Sequence, residues 1–158
     1  MLIEVERCVA PPLAPVAVMV TVLKLTVMKT QYFGSDNPRA NWCFEVSIDG
    51  QTRHWGFPGV SAGMQYRLDW QRTIVVRGPS GVGRSRELRL AVGGQNLTMA
   101  GTVDLPTVAK SHGPEDDWGV LDPTFAASRP MLRRLTVDGE NSFAVDYVVE
   151  PMFNASQF

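Results

Sequence analysis

The sequence predicts an all-β chain, an antiparallel β-sandwich of seven to eight strands. Three observations carry that expectation. Apolar and polar residues alternate strictly through Trp42, Cys43, Phe44, Glu45, Val46, Ser47, Ile48 and Asp49, the period of a strand with one face buried. Asp49-Gly50, and later Asp138-Gly139-Glu140-Asn141, each separate two such stretches, and these residue types suit tight hairpin turns. No amphipathic stretch of helical period is long enough to serve as a crossover, which disfavours a parallel sheet. At 158 residues the chain is expected to form one domain with a substantial core.

Residues 1–15 contain Pro11, Pro12 and Pro15, so an extended arm is expected there, with an edge strand at residues 2–5. The sandwich is expected over 16–150, with 151–158 as a tail. Residues 16–29 are rich in Val and Thr and apolar on both alternations, as in a strand buried on both faces or crossing a sheet centre. Gly34, Ser35, Asp36, Asn37 and Pro38 mark a loop, and the hairpin through Asp49-Gly50 follows.

Residues 56–63 read as loop from their Gly and Pro content. Tyr66, Leu68 and Trp70 alternate with polar residues, and 73–77 continue the strand past a bulge expected near Arg72. After a glycine-rich turn at 78–85, Leu88, Leu90 and Val92 alternate again. Gly93-Gly94 reads as a break. Beyond it Leu97, Met99, Gly101, Val103 and Leu105 share one face. Residues 108–130 lack any period and read as a long connection, with a short helical turn at 123–127. A second hairpin closes the chain, with Phe143, Val145, Tyr147 and Val149 on its buried face.

Bulk properties narrow the function classes. Hydrophobic content of 44% with 20% charged residues is that of a globular domain. A formal net charge of −1 gives no global electrostatic case for nucleic acid or an anionic membrane. Glu4, Glu6 and Arg7 stand where a signal peptide would carry a positive cluster. The longest apolar run, 16–27, contains Lys24 and falls short of the ~20 residues that span a bilayer. A cytoplasmic protein without a transmembrane segment is expected. Cys8 and Cys43 are read as two reduced thiols. Asn96-Leu97-Thr98 and Asn154-Ala155-Ser156 match the glycosylation pattern, which recurs by chance.

Gly78-Pro79-Ser80-Gly81-Val82-Gly83-Arg84-Ser85 looks like a nucleotide-binding Walker A loop with arginine in place of lysine. Such a loop needs a compact ammonium and a following helix. Here residues 87–92 alternate with period two, so a hairpin turn is the preferred reading and a nucleotide enzyme the remote one. His54 and His112 are isolated, and no zinc spacing or Gly-x-Ser-x-Gly elbow occurs. No catalytic residue, metal site or cofactor is expected. Glu115-Asp116-Asp117 reads as a solvated acidic loop rather than a calcium site.

Arg67, Arg84, Arg86 and Arg89, with Arg72, would form a positive strip if their strands were neighbours, a surface for anionic phospholipid or an acidic partner. An ordinary exposed face paired with Asp69 and Glu87 is the preferred reading. Trp55 reads as core, while Phe57, with Met64, is either an apolar contact or core under a loop.

The strand at 23–27, the loop Gly34-Ser35-Asp36-Asn37-Pro38 and the strand from Trp42 to Val46 resemble the opening of a C2 domain. Residues 70–76, 88–92, 101–105 and the Asp138-Gly139 hairpin are similar to its later strands, so the resemblance spans roughly residues 16–150. Calcium-binding members gather carboxylates from two loops. Asp36 stands where one ligand would be, but the second loop reads Gly93-Gly94-Gln95-Asn96. The resemblance therefore implies a calcium-independent, non-catalytic module that binds a protein partner. Its setting would be a cytoskeletal, ciliary or membrane-trafficking scaffold, with peripheral binding of anionic phospholipid as the alternative.

Overall fold

A computed structural model describes residues 17–32, 40–75, 88–98, 101–112 and 131–152. They form nine strands: β1 (Ala17–Lys29), β2 (Ala40–Ile48), β3 (Gln51–Val60), β4 (Gln65–Val75), β5 (Leu88–Thr98), β6 (Gly101–Asp104), β7 (Val108–His112), β8 (Met131–Val137) and β9 (Ser142–Met152). One sheet has the order β4-β1-β9-β8. The other has the order β3-β2-β5-β6, with β7 also paired to β5. Every pairing is antiparallel. The chain is the predicted all-β sandwich, and its core lies between the two sheets.

The central hairpin forms as the alternation requires. Trp42, Phe44, Val46 and Ile48 are fully buried. Asp49 (φ 51°) and Gly50 (φ 86°) both take the left-handed conformation, as a two-residue type I′ turn demands. The C-terminal hairpin likewise buries Phe143, Val145, Tyr147 and Val149. From the two inner faces, Trp42 and Phe44 each meet Phe143 edge-on, at 5.9 Å and 5.4 Å between ring centroids.

β1 does run through a sheet centre, between β4 and β9. Its double alternation has a second cause, a change of phase. Val18, Val20 and Val22 are buried, and then Leu25 and Val27. Between Val22 and Lys24 the pairing advances two residues on β1 against one on β9, from Tyr147 to Asp146. Leu23 is the extra residue of a β-bulge, and it moves the core positions from even to odd numbers. Opposite it, β4 advances three residues, from Trp70 to Arg67. The bulge expected near Arg72 therefore sits at Leu68-Asp69, where Asp69 has φ 47°.

Three expectations are corrected. Residues 56–60 are strand, not loop: β3 is a sheet edge, where Pro58 interrupts no central ladder. Its irregularity is a bulge between Phe57 and Val60. Gly93-Gly94 does not break the chain, because β5 pairs continuously with β2 from Leu90 to Leu97. Its alternation persists, which puts Asn96 inside and leaves Leu97 exposed, the reverse of the expected facing. Residues 108–112 form β7 along the first half of β5. An edge strand gains its backbone partners from one neighbour and needs no apolar period of its own, so composition did not reveal it. The arm at 1–15 and the helical turn at 123–127 lie outside the described residues.

Candidate functional site

The outer face of the second sheet carries a polar groove. Two adjacent rungs build it: Gly93, Glu45 and His54 lie across from one another on β5, β2 and β3, and Asp104, Gln95, Cys43 and Gly56 on β6, β5, β2 and β3. Gly56 leaves a gap in an otherwise filled row of side chains, whereas Gly93 is covered by the Thr107 side chain. A Cβ at Gly93 would approach Thr107 Oγ1 to 2.9 Å, whereas at Gly56 it would meet open space. The result is a concavity of about 400 Å³ lined by Cys43, Glu45, His54, Gly94, Gln95, Asp104 and Thr107.

Its polar groups are paired loosely. His54 Nδ1 lies 3.5 Å from Glu45 Oε2, with both side chains around half exposed. Gln95 Nε2 donates to Asp104 Oδ1 at 3.4 Å. The Cys43 thiol is free and half-buried on the floor. Among the described residues no cluster of three His, Cys, Asp or Glu side chains is placed to hold a metal ion. What the groove offers is oxygen acceptors on a floor fixed by backbone pairing.

At the end of the sandwich where β1 and β5 finish, a buried amide cluster holds the chain. Asn96 Nδ2 donates to Gln31 O at 2.8 Å and to Asn141 Oδ1 at 3.0 Å. Gln31 N donates to the same Asn141 oxygen at 2.7 Å, and Trp42 Nε1 donates to Thr30 Oγ1 at 2.9 Å. Asn96 is 0% exposed, so its side chain is committed to the interior and its glycosylation pattern is inaccessible in the fold. Nearby, Gly63 N and Val27 O, and Val27 N and Met64 O, tie the β3–β4 turn to β1. Met28, Tyr32, Met64 and Leu97 are exposed apolar side chains of this region.

Of the predicted arginine strip, Arg67 and Arg89 fall among the described residues, and their strands are not neighbours. Arg67 lies on β4 and Arg89 on β5, in different sheets. Arg67 is exposed and pairs with Asp69 across the bulge, Nε to Oδ2 at 3.1 Å. Arg89 is exposed on an edge-paired segment opposite Ser111. Arg72 is half-buried and donates from Nη1 to Ile48 O at 2.7 Å, stitching the two sheets together. Arg84, Arg86, Asp36 and Glu115-Asp116-Asp117 lie outside the described residues, as does the Walker-like segment 78–85. β5 is already strand at Leu88, where a phosphate-loop fold would need helix.

Phe57 is half-buried and stacks on Tyr66, with centroids 4.2 Å apart and planes 22° from parallel. Burial raises the Tyr66 phenol above its ordinary pKa, and its hydroxyl donates to Met64 Sδ at 3.4 Å. Trp55 packs against the core as expected. Sequence reasoning missed the groove. The outward residues Cys43 and Glu45 were legible, but reading Gly93-Gly94 as a break separated them from Gln95 and Asp104.

No protein-family model and no curated protein sequence matches the chain. Solved structures similar in fold include C2 domains. The first (A) C2 domain of plant Extended Synaptotagmin 1 shares 8% identity at a TM-score of 0.47, over 90% of this chain and 98% of that one. A structure of the paired A and B C2 domains of Extended-Synaptotagmin 2 gives 8% identity and a TM-score of 0.47, over 90% of this chain and 44% of that one. A structure of CC2D1B, described as coordinating ESCRT-III activity during mitotic reformation of the nuclear envelope, gives 7% and 0.41, over 92% and 59%. At such identities the likeness is one of fold, and no residue or function is carried across.

Proposed function

We propose that the chain is a non-catalytic, C2-like recognition module that binds a protein partner without calcium, in a cytoskeletal, ciliary or trafficking scaffold. The observation that carries the reading is the groove, a concavity whose two carboxylates, Glu45 and Asp104, are among its lining. Phosphate groups of lipids or nucleic acids would be repelled there, whereas a protein surface can supply donors and positive charge. Calcium independence is supported by Asn96, in the segment where the resemblance expects a second set of ligands. Its side chain is fully buried and held there by Nδ2 donation to Gln31 and Asn141, turned away from the surface a loop-bound ion would occupy.

Cross-linking of the whole chain to its captured partner tests this. Cross-links should map to β2, β3 and β5, and Gln95→Trp, which fills the groove from an exposed position, should abolish them while circular dichroism stays unchanged. Repeated capture without any cross-linked protein would sink the reading. Calorimetric titration with calcium should give no binding heat.

Peripheral membrane binding is the second reading, favoured by the exposed Tyr32, Met64 and Leu97 near one end of the sandwich. It requires sedimentation with anionic vesicles that falls on Met64→Glu/Leu97→Glu.

A further inference from the structure

We infer that the groove on the outer face of β3, β2, β5 and β6 is a receptor for a guanidinium group, the side chain of an arginine presented by the partner; this rests on the protein-binding reading above. Size comes first. A volume of about 400 Å³ is far larger than a bare cation needs and falls in the range of small organic ligands. The lack of any three-ligand metal cluster among the described residues agrees.

Charge comes second. Glu45 and Asp104 line the groove, and among the described residues no lysine or arginine does. The one basic side chain in that lining, His54, already faces Glu45. Glu45 lies on β2 and Asp104 on β6, with β5 between them, so two strand spacings separate them, about 10 Å across the sheet. At that separation a cationic head group pairs with one carboxylate and must find neutral acceptors for its other donors. A planar guanidinium on a long stem can donate to one and reach Gln95 Oε1 or Thr107 Oγ1 as well, because it presents five N–H groups in a fixed fork. Gly56 leaves open space beside Cys43 on the groove floor, and Thr107 covers Gly93, which sets the threonine hydroxyl at the groove wall as an acceptor.

Cys43 on the floor provides the reporter. In the full chain carrying Cys8→Ser, alkylation of Cys43 by iodoacetamide is timed with and without acetyl-Gly-Arg-Gly-amide at millimolar concentration. The arginine peptide should slow alkylation at least threefold, and the neutral citrulline peptide should not. Glu45→Gln/Asp104→Asn should remove the protection, read as the ratio of alkylation rates with and without peptide on the same variant, without altering the circular dichroism spectrum. Free argininamide, the alternative source of the group, should need at least tenfold higher concentration; equal potency would make this a small-molecule site and overturn the partner assignment. Equal protection by citrulline, no protection, or protection surviving the double substitution would overturn the guanidinium itself. Cross-linking of the partner by the same double variant is scored separately, so the groove inference can fail while the protein-binding module stands.

Discussion

Gly94 has φ +133°, and a Cβ there would fall on the Cys43 carbonyl oxygen. Gly94→Ala therefore combines backbone strain with a backbone clash that no side-chain rotation relieves, and it should destabilise the fold by about 3 kcal/mol or more. Urea unfolding would show the loss as a lower midpoint. Two residues on, Asn96 donates to Gln31 O and Asn141 Oδ1 from a fully buried position. Asn96→Ala leaves Gln31 O without that donor and Asn141 Oδ1 with Gln31 N alone, and should cost about 2–3 kcal/mol. Hydrogen exchange should also quicken at Gln31, whose amide is bonded to the same Asn141 oxygen. Glu45 and Asp104, by contrast, lie on the solvent side and pair loosely; neutralising them should move stability by no more than ~0.5 kcal/mol. That contrast is what makes the groove testable by substitution.

Among the elements, the β2–β3 hairpin isolates what a turn contributes. Gly50 has φ +86°, and a Cβ added there would have no atom within 4 Å, so Gly50→Ala meets only the conformational penalty of a left-handed residue. It should cost about 1 kcal/mol, well below Gly94→Ala, and thermal unfolding of the two variants side by side checks the ranking. The outer strands β3 and β4 are joined across the sandwich by aromatic pairs, Trp55 with Trp70 at 6.1 Å and Phe57 with Tyr66 at 4.2 Å. Trp70→Ala should remove about 2 kcal/mol, less than a fully buried tryptophan because Trp70 is half-buried. Loss of the Trp55–Trp70 contact should appear in near-ultraviolet circular dichroism before far-ultraviolet ellipticity changes.

For the whole molecule, two sheets share one interior, and each supplies side chains by the same period-two rule. Trp42, Phe44, Val46 and Ile48, like Phe143, Val145, Tyr147 and Val149, announce their buried face without help from any other part of the chain, because a strand's alternation is set by its own backbone. So does the Asp49-Gly50 turn, whose φ values only a few residue types tolerate. These local rules determined the fold class and most of the strands from the sequence by itself. Tertiary structure alone decided the remainder. Leu23 became a bulge because β9 and β4 imposed their register on β1, and Gly93-Gly94 stayed within a strand because β2 paired straight through it. It also sent Arg67 and Arg89 to different sheets and set Glu45, Gln95 and Asp104 on one surface. Adjacency across a sheet comes from hydrogen bonds between segments distant in sequence, and no local pattern of residues encodes which distant strand will supply them.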